Sequence, residues 1–173
     1  MTDGIGGPCR LARPDEVEIV RDIQRATGRM FLDTPYPEIA AHAPDSAEEL
    51  AYAQDNWWLW VSVTGDDRPA GALRVLPHDE GLHIRQLDVH PEFSGQKRTV
   101  GLVRAVQRFF GGRGLARLTL TTFADVPWNA PYYARIGFAP VAGDSLSGAL
   151  AAALAEDAAG FPAASRIAME LKF

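Results

Sequence analysis

The sequence contains a single cysteine, Cys9, among 173 residues. One thiol excludes an internal disulfide framework and any zinc site built from several cysteines. No paired metal-ligand spacing occurs among the four histidines, His42, His78, His83 and His90, so no metal is expected. No apolar run approaches the roughly 20 residues that a membrane helix needs. The opening residues MTDGIGG also lack a signal-peptide pattern. We therefore expect a soluble, cytoplasmic protein without a membrane partner, folded as a single domain over residues 1–173.

Acidic residues are absent between Phe93 and Ala124, although the whole chain is acidic, with 22 Asp and Glu against 17 Lys and Arg. The same stretch contains the basic residues Lys97, Arg98, Arg104, Arg108, Arg113 and Arg117. Such a run is typical of a solvated helix face, or of a segment that holds an anionic ligand near Lys97 and Arg98. A charged fraction of 23% and a hydrophobic fraction of 47% are typical of a folded globular chain.

Hydrophobic periodicity predicts a chain in which strands and helices are mixed. The predicted strands are 9–12, 57–63, 70–76, 82–89, 115–123, 137–141 and 166–173. The predicted helices are 15–28, 46–54, 100–112, 127–135 and 144–159. Asp15 is placed as the cap of the first helix, and Ser46 with Glu49 predicts a capping box at the second. This order predicts an α+β or mixed α/β fold with helices on both faces of one sheet.

The fourth predicted strand has a break in its alternation. Leu82 and Ile84 point to one face, but the next apolar residues are Leu87 and Val89, one position out of phase. A β-bulge at Arg85-Gln86 would produce this slip, and bulges often lie beside active sites. A strand that simply ends early is the alternative.

Two segments together carry a family resemblance. The first reads LHIRQLDVHPEFSGQKRTVGLVRAVQRFFGGRGLARLTLTTF, and the second reads DVPWNAPYYARIGF. Together they resemble the GNAT superfamily of N-acyltransferases over about residues 11–173, and the last strand is similar to that of a bacterial GNAT subgroup. The resemblance implies a mostly antiparallel twisted sheet that is splayed at a bulged fourth strand. It also implies transfer of an acetyl or other acyl group from acetyl-CoA, or a related thioester, to the amine of a small molecule.

The resemblance also assigns residues to the acyl donor. Leu87, Asp88 and Val89 match the strand whose backbone pairs with pantetheine, and Asn129 matches an asparagine that hydrogen-bonds the cofactor arm. Turn or helix-cap duty is the alternative for Asn129.

The phosphate loop of the family falls on Ser94, Gly95, Gln96, Lys97, Arg98 and Thr99. The family pattern begins with Gln or Arg and has small residues fourth and sixth, where this chain has Ser94, Lys97 and Thr99. Glycine there lets the backbone approach phosphate closely. Either Lys97 and Arg98 compensate by pairing with phosphate, or the site no longer holds CoA in the usual way.

Acyl transfer to an amine needs a base for the amine, stabilisation of the oxyanion and an acid for the departing thiolate. Tyr133 matches the tyrosine that GNAT enzymes often use as that acid, and a core aromatic residue is the alternative. His83 matches the position of a base before the bulge, with Asp88 and Glu80 as alternatives. The oxyanion donor would be the backbone N–H of Val89 or a neighbour.

Two other readings stay open at this point. The degenerate loop and the basic run also suit a donor such as an acyl carrier protein or an aminoacyl-tRNA. A GNAT-like binding module without turnover is the third reading. The sequence does not decide the acceptor, or whether the chain acts as a monomer or a homodimer.

Overall fold

The structure, a computed structural model, describes residues 6–78 and 81–172. This part of the chain contains seven strands and five α-helices. The strands are β1 (Cys9–Leu11), β2 (Leu59–Val63), β3 (Pro69–His78), β4 (Gly81–Val89), β5 (Arg117–Phe123), β6 (Ala139–Val141) and β7 (Arg166–Lys172). The helices are α1 (Val17–Gly28), α2 (Ala47–Asp55), α3 (Arg98–Gly111), α4 (Ala130–Arg135) and α5 (Gly148–Ala158). Short 3₁₀ helices cover Pro14–Glu16, Arg29–Asp33, Pro37–Ala41, Pro91–Phe93 and Gly143–Ser145.

The strands form a sheet in the order β1-β2-β3-β4-β5-β7-β6. Strands β1–β2, β2–β3, β5–β7 and β6–β7 pair antiparallel, whereas β4 and β5 run parallel. The predicted mixed, mostly antiparallel sheet is therefore confirmed. The parallel register runs from Leu82 opposite Leu118 to Ile84 opposite Leu120, and β4 continues beyond it to Val89. The bulge at Arg85-Gln86 stays a prediction.

The described chain divides into two compact units. The first unit comprises residues 6–75 and 85–108, and the second comprises 76–78, 81–84 and 109–172. In the first unit, Val17 and Val20 of α1 pack with Leu50 of α2 and Val61 of β2. In the second unit, Leu150 of α5 belongs to a buried cluster with Val141 and Ala168. The single domain expected over 1–173 stays a prediction.

The helix starts agree with the sequence at α2 and differ at α1 and α5. The capping box is confirmed, because Ser46 Oγ accepts from the Glu49 N–H and the Glu49 carboxylate accepts from the Ser46 N–H. The start of α1 instead follows a 3₁₀ turn opened by Pro14, and the buried Glu16, rather than Asp15, accepts from the Arg13 N–H at 2.8 Å.

Helix α5 begins later than the predicted residue 144. A separate 3₁₀ turn occupies Gly143–Ser145, and the Ser147 hydroxyl then caps α5 by accepting from the Leu150 N–H at 3.2 Å. Residues 79 and 80, between the predicted strands 70–76 and 82–89, lie outside the described residues, as does residue 173 at the end of the last predicted strand. Among the helices of residues 6–78 and 81–172, none has both the length and the apolar composition of a membrane span.

Candidate active site

In the first unit, the end of β4 carries a buried carboxyl group between two half-buried apolar residues. The Asp88 side chain lies between Leu87 and Val89 in the sequence and is 5% exposed. Burial raises the pKa of Asp88 to about 7, the negative charge of Asp45 adds to the increase, and a hydrogen bond from Gln86 opposes it. That bond runs from Gln86 Nε2 to Asp88 Oδ2 at 2.8 Å. A carboxyl group with this pKa can both accept and release a proton near neutral pH.

The backbone at the end of β4 is tied to α1. The Thr27 hydroxyl of α1 donates to the Val89 carbonyl at 3.3 Å and also to the Ile23 carbonyl at 3.0 Å. Residues 87–89 are the ones predicted to pair with pantetheine. The carbonyl of the last of them, Val89, is therefore held by a hydrogen bond from α1.

The predicted phosphate loop leads into α3 through two left-handed residues. Gly95 has φ 77° and Lys97 has φ 57°, and residues 94–97 are exposed. The Lys97 carbonyl accepts from the Gly101 N–H at 3.1 Å, so Lys97 directly precedes the first turn of α3. Lys97 stands where the family pattern has glycine, and its backbone adopts the conformation that glycine reaches most easily. The first N–H groups of a helix lack partners within that helix, so this loop leads to a site suited to an anion.

Arg98 is buried, in contrast to its neighbour Lys97. Its side chain is 8% exposed, and its Nη1 donates to the Val63 carbonyl at 3.0 Å. Its Nε and Nη2 donate to Gln96 Oε1 at 3.2 and 3.0 Å. The guanidinium also lies 5.1 Å from the centroid of the Phe93 ring. Of the two positive charges expected to meet phosphate, that of Arg98 is therefore bound to acceptors within the protein, whereas that of Lys97 is exposed.

The basic run does not act as a uniform surface. Four of its members are exposed: Lys97, Arg104, Arg108 and Arg113. Arg113 donates to the Phe109 carbonyl at 2.7 Å, and Arg117 pairs with Glu170 at 3.1 Å. Because Arg98 is buried and Arg117 is paired, the basic run gives less support to an acyl carrier protein or an aminoacyl-tRNA as the donor.

In the second unit, His83 is a buried histidine of β4 with a defined partner on β5. Its Nδ1 lies 2.9 Å from Thr119 Oγ1, and the two residues are opposite each other in the parallel register. The His78 ring is tilted against it, with centroids 4.9 Å apart. Thr119 is a residue that the sequence did not single out, because the register between β4 and β5 is not visible from periodicity. Glu80, one of the alternative bases, lies outside the described residues.

Asn129 and Tyr133 lie together at the start of α4 in the second unit. The Asn129 carbonyl accepts from the N–H groups of Tyr132 and Tyr133, both at 2.9 Å. The described side chain of Asn129 makes no capping hydrogen bond, so only the backbone of Asn129 caps α4. Tyr133 is 8% exposed, and its ring packs edge-on against Phe138 at 5.6 Å between centroids. The Tyr133 ring is therefore part of the core, and this packing is compatible with a catalytic role for the Tyr133 hydroxyl.

Among the described residues, no group of three or more His, Cys, Asp and Glu side chains is arranged to hold a metal ion. The candidate groups are the Asp88 carboxyl and the start of α3 in the first unit, and His83 and Tyr133 in the second.

Comparison with known proteins identifies the family to which the chain belongs. Residues 19–138 match the Acetyltransferase (GNAT) family. The chain belongs to this family, so the resemblance is confirmed.

Solved structures share the fold over nearly the whole chain. The PaiA N-acetyltransferase of Thermoplasma acidophilum in complex with CoA is 14% identical, with a TM-score of 0.71 over 96% of this chain and 98% of that one. A GNAT-family acetyltransferase of Listeria monocytogenes is 14% identical, with a TM-score of 0.70 over 100% and 98%. A Mycobacterium tuberculosis protein in complex with CoA is 16% identical, with a TM-score of 0.66 over 96% and 99%. At these identities the likeness shows a common fold.

Proposed function

We propose that the protein is an N-acyltransferase that moves an acetyl group from acetyl-CoA to the amine of a small molecule. The observation that carries the proposal is the segment made of β4, the following loop and α3. This segment lies inside the residues matched to the GNAT family. Its loop turns through Gly95 and Lys97 in the left-handed conformation and delivers the N-terminus of α3. The partial positive charge at that helix end suits a pyrophosphate.

The pantetheine and the pyrophosphate of the donor would be held by residues of the first unit. The backbone of Leu87, Asp88 and Val89 would pair with the amides of pantetheine, and the loop Ser94–Thr99 would hold the pyrophosphate. Space is available at the loop, since a Cβ added to Gly95 would meet no heavy atom within 4 Å. The Asn129 side chain, unused by the α4 cap, would donate to the cofactor arm.

The transfer needs protons to leave the acceptor nitrogen and a proton to reach the departing thiolate, and we assign these transfers to His83 and Tyr133. His83 accepts a proton from the acceptor ammonium, and the freed amine attacks the thioester carbonyl, forming a C–N bond. The backbone N–H of Val89 stabilises the oxyanion of the tetrahedral intermediate. The C–S bond then breaks, the Tyr133 hydroxyl gives its proton to the departing thiolate, and the tyrosinate so formed takes the second proton from the attacking nitrogen. The products are an acetamide and CoA with a free thiol.

The acceptor is a small amine in this proposal, and two of the acidic side chains near α2, Asp45 and Glu49, are already engaged within the fold. Asp45 accepts from Arg74 Nη2 at 2.9 Å and from Gln24 Nε2 at 3.0 Å, and Glu49 closes the capping box. These two carboxylates serve the fold of the first unit.

Calorimetric titration with acetyl-CoA, followed by thiol release with a panel of primary amines, tests the function. We expect binding of acetyl-CoA and amine-dependent release of free CoA thiol. A wild-type chain that ignores acetyl-CoA but transfers an acyl group from an acyl carrier protein or an aminoacyl-tRNA would replace the donor. A chain that binds acetyl-CoA and turns over no amine would instead support the binding-module reading.

A further inference from the structure

The Arg98 side chain connects three parts of the first unit. Through Val63 it reaches the end of β2, through Gln96 it reaches the exposed loop, and its guanidinium faces the Phe93 ring. The loop from Phe93 to Lys97 is thus folded around a buried cation. An arginine this buried costs desolvation unless its donors are satisfied, and here three donors have acceptors.

The contact between Arg98 and Gln96 fixes which way the Gln96 amide points. A guanidinium carries only donors, so the group that faces it must be the amide oxygen. Both Nε and Nη2 of Arg98 donate to Gln96 Oε1, at 3.2 and 3.0 Å. The amide NH₂ of Gln96 therefore lies on the other branch of the planar amide, turned away from the guanidinium, on a residue that is exposed.

The backbone next to this pair is held on its other side as well. Lys97 is left-handed with φ 57°, a conformation that residues with a Cβ adopt uncommonly. Gly6 packs directly against it, because a Cβ added to Gly6 would lie 2.5 Å from the Lys97 carbonyl oxygen. Such a conformation persists where the surroundings over-determine it, and Arg98 and Gly6 supply those surroundings.

We propose that Arg98 is a positioning residue that orients the Gln96 amide so that its NH₂ group donates to a phosphate of the acyl-CoA. The inference rests on the proposed function, since it assumes that this loop meets the donor's phosphates. It changes the role expected for Arg98. The Arg98 side chain supports the loop from inside, and Gln96 and Lys97 make the direct contacts with phosphate.

The sharpest variant is Gln96→Glu. A carboxylate still accepts from the Arg98 guanidinium, with a stronger, charge-assisted hydrogen bond. The substitution removes only the NH₂ donor and replaces it with an oxygen that repels phosphate. We expect thermal stability to be kept or raised while CoA affinity falls roughly 10- to 100-fold, the scale of a hydrogen bond to a charged group.

The Arg98 variants distinguish positioning from direct charge pairing. Arg98→Lys keeps the charge but loses the planar fork that holds Gln96. If Arg98 positions the loop, Arg98→Lys and Arg98→Met lower CoA affinity to a similar extent. Arg104→Met, at an exposed position of α3, is the matched control and should bind CoA like the wild type.

Calorimetric titration of CoA into each variant and into the double variant Gln96→Met/Arg98→Met completes the test. We expect the Arg98→Met loss to shrink at least threefold in the Gln96→Met background, because the two residues act as one unit. Unchanged CoA affinity in Gln96→Glu, full retention in Arg98→Lys, or additive losses in the double variant would each overturn the inference. A wild-type chain that fails to bind CoA refutes the proposed function itself, whereas tight wild-type binding with silent variants refutes only the role of Arg98 and Gln96.

Discussion

The Nδ1 atom of His83 and the hydroxyl of Thr119 lie 2.9 Å apart, on residues that face each other across the parallel pair β4–β5. The Thr119 hydroxyl also lies 3.5 Å from the Leu82 carbonyl, an acceptor that can take its proton. Were the hydroxyl to donate to Leu82, it would accept from His83, and in that arrangement Nδ1 carries the hydrogen and Nε2 keeps the lone pair. This tautomer is the one in which Nε2 can act as a base.

Replacing His83 with Gln should lower kcat/KM roughly 100-fold if His83 accepts the proton of the amine. The acid limb that His83 contributes to the pH profile of kcat/KM should vanish with it. Thr119→Val keeps the shape of the side chain and removes the hydroxyl, so it should preserve the acid limb but lower kcat/KM about 3- to 10-fold through loss of the hydrogen-bond partner of Nδ1. Steady-state kinetics from pH 5 to pH 9 check both variants. An unaltered profile in His83→Gln would assign the base elsewhere.

Replacing Tyr133 with Phe should lower kcat roughly 100-fold or more, because the departing thiolate loses its proton donor. The ring contact with Phe138 is kept, so the fold should survive. Tyr132→Phe is the matched control, since it removes a hydroxyl one residue away on the same helix. Thiol-release kinetics with melting temperatures separate the outcomes. Loss of folding in Tyr133→Phe would make that hydroxyl structural, and an unchanged rate would exclude it as the acid.

Asp88 should make the first unit less stable as the pH rises. Burial raises the pKa of Asp88 to about 7 from an ordinary value of 3.8. The folded state therefore holds a proton that the unfolded state has released between about pH 4 and pH 7, and the free energy of unfolding falls across that window. Asp88→Asn keeps an acceptor for Gln86 but cannot ionise.

The stability difference between Asp88→Asn and the wild type should therefore grow from pH 4 to pH 7 and then level off. Its plateau should be of the order of a few kcal/mol in favour of the variant. Urea unfolding of both proteins at pH 5, 6, 7 and 8 measures this difference. Subtracting the two free energies of unfolding cancels the contributions of the other titrating groups. A difference that is constant with pH would mean that Asp88 titrates alike in the folded and unfolded chain.

The sequence predicted the fold well because periodicity reports which residues face a core. Val17, Val20 and Ile23 recur at helical spacing and are buried on α1, and the Ser46–Glu49 pair acts within one turn, so both are local signals. The start of α1 was predicted less well, because Arg10, a residue of β1, places two hydrogen bonds on Glu16 at 2.9 and 2.7 Å. That contact favours Glu16 over Asp15 and is visible only in three dimensions.

The candidate site shows the same division between local and tertiary information. The resemblance placed the phosphate loop on residues 94–99, and within it Gly95 takes φ 77°, a conformation that glycine reaches most easily. Arg98, however, reads as one more surface cation in a basic run, and only the approach of Val63 in β2 shows that it is buried. The partnership of His83 with Thr119 likewise depends on a strand register between segments 36 residues apart.

Lys97 supplies the last prediction, because its backbone already has the conformation of the glycine it replaces. Lys97→Gly should relieve the left-handed strain and stabilise the chain by about 1 kcal/mol. The same change removes an exposed positive charge next to the start of α3, so CoA should bind roughly 10-fold more weakly at low salt. Calorimetric titration at 0.05 and 0.5 M salt should show this loss shrinking as the charge is screened.

Lys97→Met serves as the partner variant, because it keeps the bulk of the side chain and removes only the charge. If the charge holds the phosphate, Lys97→Met and Lys97→Gly weaken CoA binding alike, and adding Thr99→Gly changes little. If the side chains obstruct the site, Lys97→Gly with Thr99→Gly binds CoA more tightly than the wild type, because the helix-start N–H groups can then close on the phosphates. Tight wild-type binding that ignores every one of these changes, and salt as well, would place the phosphates away from residues 94–99.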